Sequence, residues 1–157
     1  METDIQIVDF IGKYAPHFKK LNEDWITKYF EIEEADLLPL NNPQEYIIDR
    51  GGIIKVALLN HEPIGVCALQ KLDNPKFDFE LAKMAVSPLA QGHGIGFLLG
   101  KSIIKHGVSK SSKPIYLVTN SGLIPAIKLY EKLGFTKIES PDSNYKRGDY
   151  HMIRPNP

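Results

Sequence analysis

Gln91-Gly92-His93-Gly94-Ile95-Gly96 decides the reading of this chain. It joins Phe79-Glu80-Leu81-Ala82-Lys83-Met84-Ala85-Val86, an apolar-rich run of strand length, to a stretch where Ile95, Leu98, Leu99 and Ile103 recur at helical spacing. Glycines at such a junction let backbone N–H groups converge on the first turn of a helix. Unpaired donors and the helix dipole there favour an anion, above all a phosphate. Two common phosphate loops do not fit. A nucleoside-triphosphate loop ends in Gly-Lys-Ser/Thr; no such triplet closes this loop, and Gly100-Lys101-Ser102 stands well inside the helix. A dinucleotide fingerprint needs Gly or Ala three residues past its second glycine, where this chain has Phe97 or Leu99.

The segment instead resembles Gln/Arg-x-x-Gly-x-Gly/Ala, the pyrophosphate loop of the GCN5-related N-acetyltransferase (GNAT) superfamily, which binds acetyl-coenzyme A. Met84-Ala85-Val86-Ser87-Pro88 looks like the strand and turn before that loop. Pro125-Ala126-Ile127-Lys128-Leu129-Tyr130-Glu131-Lys132-Leu133-Gly134-Phe135 is similar to the family's Ala-x-x-Leu-Tyr-x-x-x-Gly-Phe helix ending. Loop, strand and helix follow one another in family order between about residues 77 and 138. A lone glycine loop is weak evidence; the three together are specific.

Composition sets the bounds. A chain of 157 residues, 43% hydrophobic and 24% charged, reads as one globular domain spanning residues 1–157. Basic and acidic residues balance at 19 each, so no bulk charge draws the chain to nucleic acid or anionic membrane. The single cysteine, Cys67, lies in the apolar run Ile64-Gly65-Val66-Cys67-Ala68-Leu69 and reads as a small buried hydrophobe rather than a nucleophile. Five scattered histidines and one cysteine lack metal-ligand spacing, so no metal is expected. Neither a secretory signal nor a run near the ~20 apolar residues of a membrane span is evident, which points to the cytoplasm.

Periodicity supplies the rest of the fold. Ile5 to Phe10 reads as a strand, and residues 13 to 30 as a helix with Phe18, Leu21, Trp25 and Tyr29 along one face. Glu33 to Leu40 reads as a short helix stopped near Pro39, and Glu45 to Ile48 as a helical turn. Strands at 53–59 and from Ile64 form a hairpin about Asn60-His61-Glu62-Pro63, and a third strand covers 77–86. Ile115 to Thr119 is a strand, Ala126 to Leu133 a helix closed by Gly134, and 135–138 pairs with 149–153. This order defines an α+β fold with a mixed sheet. The resemblance implies more: a mostly antiparallel central sheet with helices on both faces, and strands 77–86 and 115–118 splayed around acetyl-CoA.

Acyl transfer to an amine needs a neutral nucleophile, a stabilised oxyanion and a protonated leaving thiolate. A lysine-like amine, with pKa near 10.4, is neutral in about one molecule in a thousand at pH 7.4, a penalty of roughly 4 kcal/mol that a carboxylate base relieves. By resemblance Glu80 stands where many members carry that base; the position also suits a carboxylate that only touches substrate. Tyr130 matches the tyrosine that protonates the departing sulfur, although its spacing with Ala126, Leu129 and Leu133 equally fits a core tyrosine. For the cofactor, the resemblance implies that Met84, Ala85 and Val86 pair with the pantetheine amides, a backbone N–H near Val86 holding the thioester carbonyl. Gln91, Gly92, His93, Gly94, Ile95 and Gly96 would cradle the pyrophosphate, with Phe97 opening the helix. His93 fills a variable slot and reads as a loop residue near phosphate. The family's Asn before the tyrosine helix would fall at 123, where this chain has Leu123; Asn120 is the substitute contact to the pantetheine arm, beside Ala126.

The acceptor stays open. Trp25 and Tyr29 wall its site or belong to the core. Glu33 and Asp36 attract a cation or form a solvated face. Arg147, in Tyr145-Lys146-Arg147, has the geometry to hold a carboxylate. Small-molecule amines and peptide or protein amines all fit, and a homodimer is compatible with the sequence. Two further readings keep the fold: an acyl-CoA-binding sensor without turnover, and an enzyme with another acyl donor or a hydroxyl acceptor.

Overall fold

β2 (Ile53–Leu59) and β3 (Glu62–Lys71) form the hairpin at the heart of the sheet, and their alternation sorts two cores. Ile54, Val56, Leu58, Val66 and Ala68 face one side; Ala57, Cys67 and Leu69 face the other. Residues 65–69 are buried without a break, the signature of a strand covered on both faces. The computed structural model describes residues 4–90, 92–139 and 148–156. Around the hairpin stand β1 (Ile5–Asp9), β4 (Phe79–Val86), β5 (Ile115–Thr119), β6 (Thr136–Ile138) and β7 (Tyr150–Arg154). The sheet order is β1-β2-β3-β4-β5-β7-β6, with β4–β5 parallel and the other pairs antiparallel.

Helices cover both faces, as expected. α1 (Ala15–Tyr29) and α2 (Glu34–Asn41) bury Phe18, Ile26 and Leu40 against the first core. α3 (Ile95–Lys110) sets Ile95, Leu99, Ile103 and Ile104 into the second, and α4 (Ile124–Lys132) packs Leu129 beside it. Burying each such side chain contributes about 1.5–3 kcal/mol. Gly134, at φ +101°, ends α4 in the left-handed conformation that its C-terminal position favours.

Several boundaries differ from the sequence reading. Pro39 does not stop α2 but lies inside it: a proline removes one N–H from the ladder, which resumes with Asn42 N–H donating to Leu38 O at 2.9 Å. The buried Leu40, 3% exposed, anchors the turn beyond it. α3 opens at Ile95, two residues before Phe97, because Gly94 serves as its N-cap. β3 begins at Glu62 rather than Ile64, since the turn closes tightly on Asn60 and His61 at positive φ.

Candidate active site

β4 and β5 create the gap in which the site is built. Among the described residues they pair only at Phe79–Ile115 and Glu80–Tyr116, while β4 runs on to Val86 and β5 to Thr119. A bulge sharpens the divergence. Opposite Val66–Ala68 of β3, β4 carries one extra residue between Ala82 and Ala85, and Lys83 sits there at φ +56°. The insertion inverts the alternation. Phe79 and Leu81 belong to the α3 core, whereas Ala85 belongs to the α1 core and Met84 and Val86 pack towards α3. Lys83 thereby lines the same cleft as Glu80.

That cleft, about 760 Å³ with the space at its open side included, lies under α1 between Asn22, Trp25, Glu80, Lys83, Asn120 and Tyr130. A second, of about 850 Å³, runs along Met84–Pro88 and is closed by Tyr29, Gly96, Ala126 and Leu129. Trp25, Met84 and Tyr130 line both, so the clefts meet at these three side chains. Trp25 lines the Glu80 cleft and also packs against the first core, while Tyr29, 48% exposed, lines the second cleft.

Burial tunes the titratable groups. It raises the Glu80 carboxyl from its ordinary 4.5 to about 7, with the charge of Lys83 acting in opposition. It also pushes the Tyr130 phenol well above its ordinary 10, a rise to which neighbouring Cys67 adds, so Tyr130 keeps its proton at neutral pH. The Cys67 thiol is fully buried and pushed up as well, which fits a packed hydrophobe rather than a nucleophile.

The glycine loop stands open above α3. Gly92 (φ +90°) and Gly94 (φ +68°) have left-handed backbones, and a Cβ at either would meet nothing within 4 Å. Ile95, Gly96 and Phe97 form the first turn, and His93 is exposed beside them. The second cleft and this loop fit an extended carrier ending in a diphosphate, with Gly96 on the cleft wall between them. Gln91 and Arg147 lie outside the described residues. Asn120 closes the turn into α4, its Oδ1 accepting Gly122 N–H at 2.8 Å, and lines the Glu80 cleft; Ala126 lines the second.

Asp36 is not part of a solvated acidic face. Asp36 is fully buried; it forms a capping box with Glu33 and lies 3.6 Å from Lys83 Nζ. Lys83 and Asn22 are cleft residues the sequence reading missed. A signal for Lys83 did exist: strict alternation puts it on the buried face with Phe79, Leu81 and Ala85, where a lysine is out of place. Among the described residues no group of three His, Cys, Asp or Glu could hold a metal ion, and no helix is long and apolar enough to cross a membrane.

The split sheet is the fold of solved acetyltransferases. A GNAT-family acetyltransferase from Staphylococcus aureus superposes with a TM-score of 0.85 at 23% identity, covering 96% of this chain and 98% of that one. Phosphinothricin acetyltransferase from Sinorhizobium meliloti, in complex with AcCoA, superposes at 0.75 and 18% identity, covering 97% and 88%. Residues 18–135 match the sequence model of the acetyltransferase (GNAT) family, and the chain belongs to that family. That family comprises acetyltransferases, and the S. meliloti neighbour carries AcCoA. An uncharacterised N-acetyltransferase of Schizosaccharomyces pombe is 31% identical over 128 residues, covering 78% of this chain and 76% of its own. The N-acetylaspartate synthetases of Danio rerio and Homo sapiens are 30% and 29% identical over 93 and 99 residues, or 59% and 63% of this chain. The chain spans about a third of those relatives' length, 33% and 32%.

Proposed function

We propose that residues 1–157 form one domain that transfers the acetyl group of acetyl-CoA to a primary amine, by direct attack in a ternary complex. The observation behind this reading is the meeting of two clefts at Trp25, Met84 and Tyr130, with a half-buried carboxyl in one and a glycine loop at the mouth of the other. When bound, acetyl-CoA supplies an activated acetyl thioester. In the second cleft the backbone of Met84, Ala85 and Val86 pairs with the pantetheine amides as an added strand would. Val86 N–H orients the acyl carbonyl and meets the negative charge that develops on it. The amides of Gly92–Gly96 hold the diphosphate, flanked by Gln91, His93 and Phe97.

The amine enters the first cleft, where Glu80 takes its proton. A base held near pH 7 is half-ionised under working conditions and still basic enough to accept. Tyr130, kept protonated by burial, donates to the sulfur as it leaves. Tyr130→Phe is expected to slow turnover about 10- to 100-fold, the low end for a general acid because a thiolate leaves readily, with acetyl-CoA affinity within about twofold of the parent. Steady-state rates beside calorimetric titration decide this; undiminished turnover returns Tyr130 to a packing role.

Thiol release from acetyl-CoA over a panel of amines tests the function itself. Amino acids come first, because relatives named N-acetylaspartate synthetase match this chain. Polyamines, aminoglycosides and peptides follow. Turnover with one class is the expected result. Acetyl-CoA binding with no turnover on any amine defeats the proposal and points to a sensor; preference for succinyl-CoA or a hydroxyl acceptor redirects it to another acyl transfer.

A further inference from the structure

We propose that the buried Asp36–Lys83 ion pair is a positioning element for Glu80, one that sets how tightly this carboxyl holds its proton; its catalytic meaning rests on Glu80 being the base assigned above. The bulge supplies the first observation. Lys83 shares a cleft with Glu80 because β4 inserts a residue there, in a left-handed backbone that disfavours a non-glycine residue. The second is burial. The side chains of Lys83 and Asp36 are 7% and 0% exposed, so the ammonium is held in one place out of water. The third is the clamp on its partner: Asp36 Oδ2 accepts Glu33 N–H at 2.8 Å, which pins the carboxylate to the first turn of α2. An apolar pair would hold α2 to β4 at least as well, since desolvating two charges offsets most of their attraction.

The surroundings of Glu80 leave these charges in control. α1 presents Asn22, Trp25 and Ile26 to the cleft, none of them titratable, and α4 presents Tyr130. β3 places Gln70 opposite Glu80, and β5 places Tyr116, whose hydroxyl lies 2.5 Å from His151 Nδ1 of β7. Lys83 is the cleft's cation among the described residues, with Asp36 behind it. Burial drives the carboxyl up and Lys83 draws it down; Asp36, 3.6 Å from the Lys83 ammonium, sets a negative charge beside that cation.

The test is a carbon-13 NMR titration of the full chain with labelled glutamate carboxyls, the Glu80 signal assigned by its loss in Glu80→Gln. This readout needs no acceptor. Lys83→Met should move the Glu80 midpoint up by about one pH unit, and Asp36→Asn should move it down by less. Lys83→Arg should titrate near the parent. If Lys83→Met alone does not fold, the double variant Lys83→Met/Asp36→Asn removes both members of the ion pair together, and should titrate above the parent. A midpoint that stays put in folded Lys83→Met or the double variant overturns the proposal. The acidic limb of kcat/KM should move with the NMR midpoint. If the midpoint moves while Glu80→Gln keeps full turnover, the ion pair still governs Glu80, and it is the assignment of Glu80 as base that fails.

Discussion

Gly94→Glu is expected to weaken acetyl-CoA binding at least about 100-fold, or roughly 3 kcal/mol, while the fold survives. Gly94 caps α3 at φ +68°, and a Cβ there meets nothing within 4 Å, so the substitution begins in open space. The backbone itself charges about 1–2 kcal/mol for a non-glycine residue at that φ, a local strain that a packed helix tolerates. The larger effect is electrostatic. A carboxylate at the first turn of α3 occupies the place that favours an anion and repels the diphosphate. Gly94→Ala separates the two contributions, because it brings the strain without the charge and should lose far less affinity. Calorimetry on both variants decides the matter. Parent affinity in Gly94→Glu removes the loop from the binding site.

Glu80→Gln is expected to cut turnover about 10²- to 10⁴-fold and, at the same time, to stabilise the protein above neutral pH. The two effects share one cause. Burial lifts the Glu80 carboxyl to about 7 from an ordinary 4.5, so between those values the folded state binds more protons than the unfolded chain. Its contribution is intact below 4.5 and is lost as the pH climbs to about 7. At 1.36 kcal/mol for each tenfold, the full loss is about 3 kcal/mol, an upper figure since the side chain is only half-buried. A neutral amide escapes that loss. Thermal melts at pH 8 should place Glu80→Gln several degrees above the parent, with the gap closing towards pH 5. In the parent, kcat/KM with the best amine of the panel should fall below about pH 7 as Glu80 takes up a proton; the variant should lack that limb. A variant equally active across this range leaves Glu80 a contact to substrate only.

Much of this molecule was legible in its sequence, because apolar periodicity and glycine placement report directly on strands, helices and turns. The apolar run Ile64 to Leu69 announced a strand with Cys67 in the interior, and Gly134 announced the end of α4. The gap between β4 and β5 followed from resemblance, and the register shows it as two pairs and no more among the described residues. What stayed hidden has a common physical origin. Lys83 occupies a left-handed conformation that residue propensities disfavour, so residues 77–86 read as one unbroken strand. Asp36 was read by its neighbours in sequence as part of an acidic run, while its partner lies 47 residues away on β4 and its capping role depends on Glu33 standing just outside the helix. The pairing of Asn120 with Gly122 is local, yet it emerges only once the turn into α4 is drawn. Distances between charges are a property of the fold, and hydrophobic pattern carries no record of them.

The junction of the two clefts at Trp25, Met84 and Tyr130 bears on inhibition. A bisubstrate compound, with a pantetheine-like tail joined to an amine head by a spacer short enough to pass between these side chains, would occupy both chambers together. Tethering makes capture of the second half an intramolecular event, so such a ligand should gain about 10²- to 10⁴-fold over either half alone. Spacer length then becomes a ruler for the thickness of the partition.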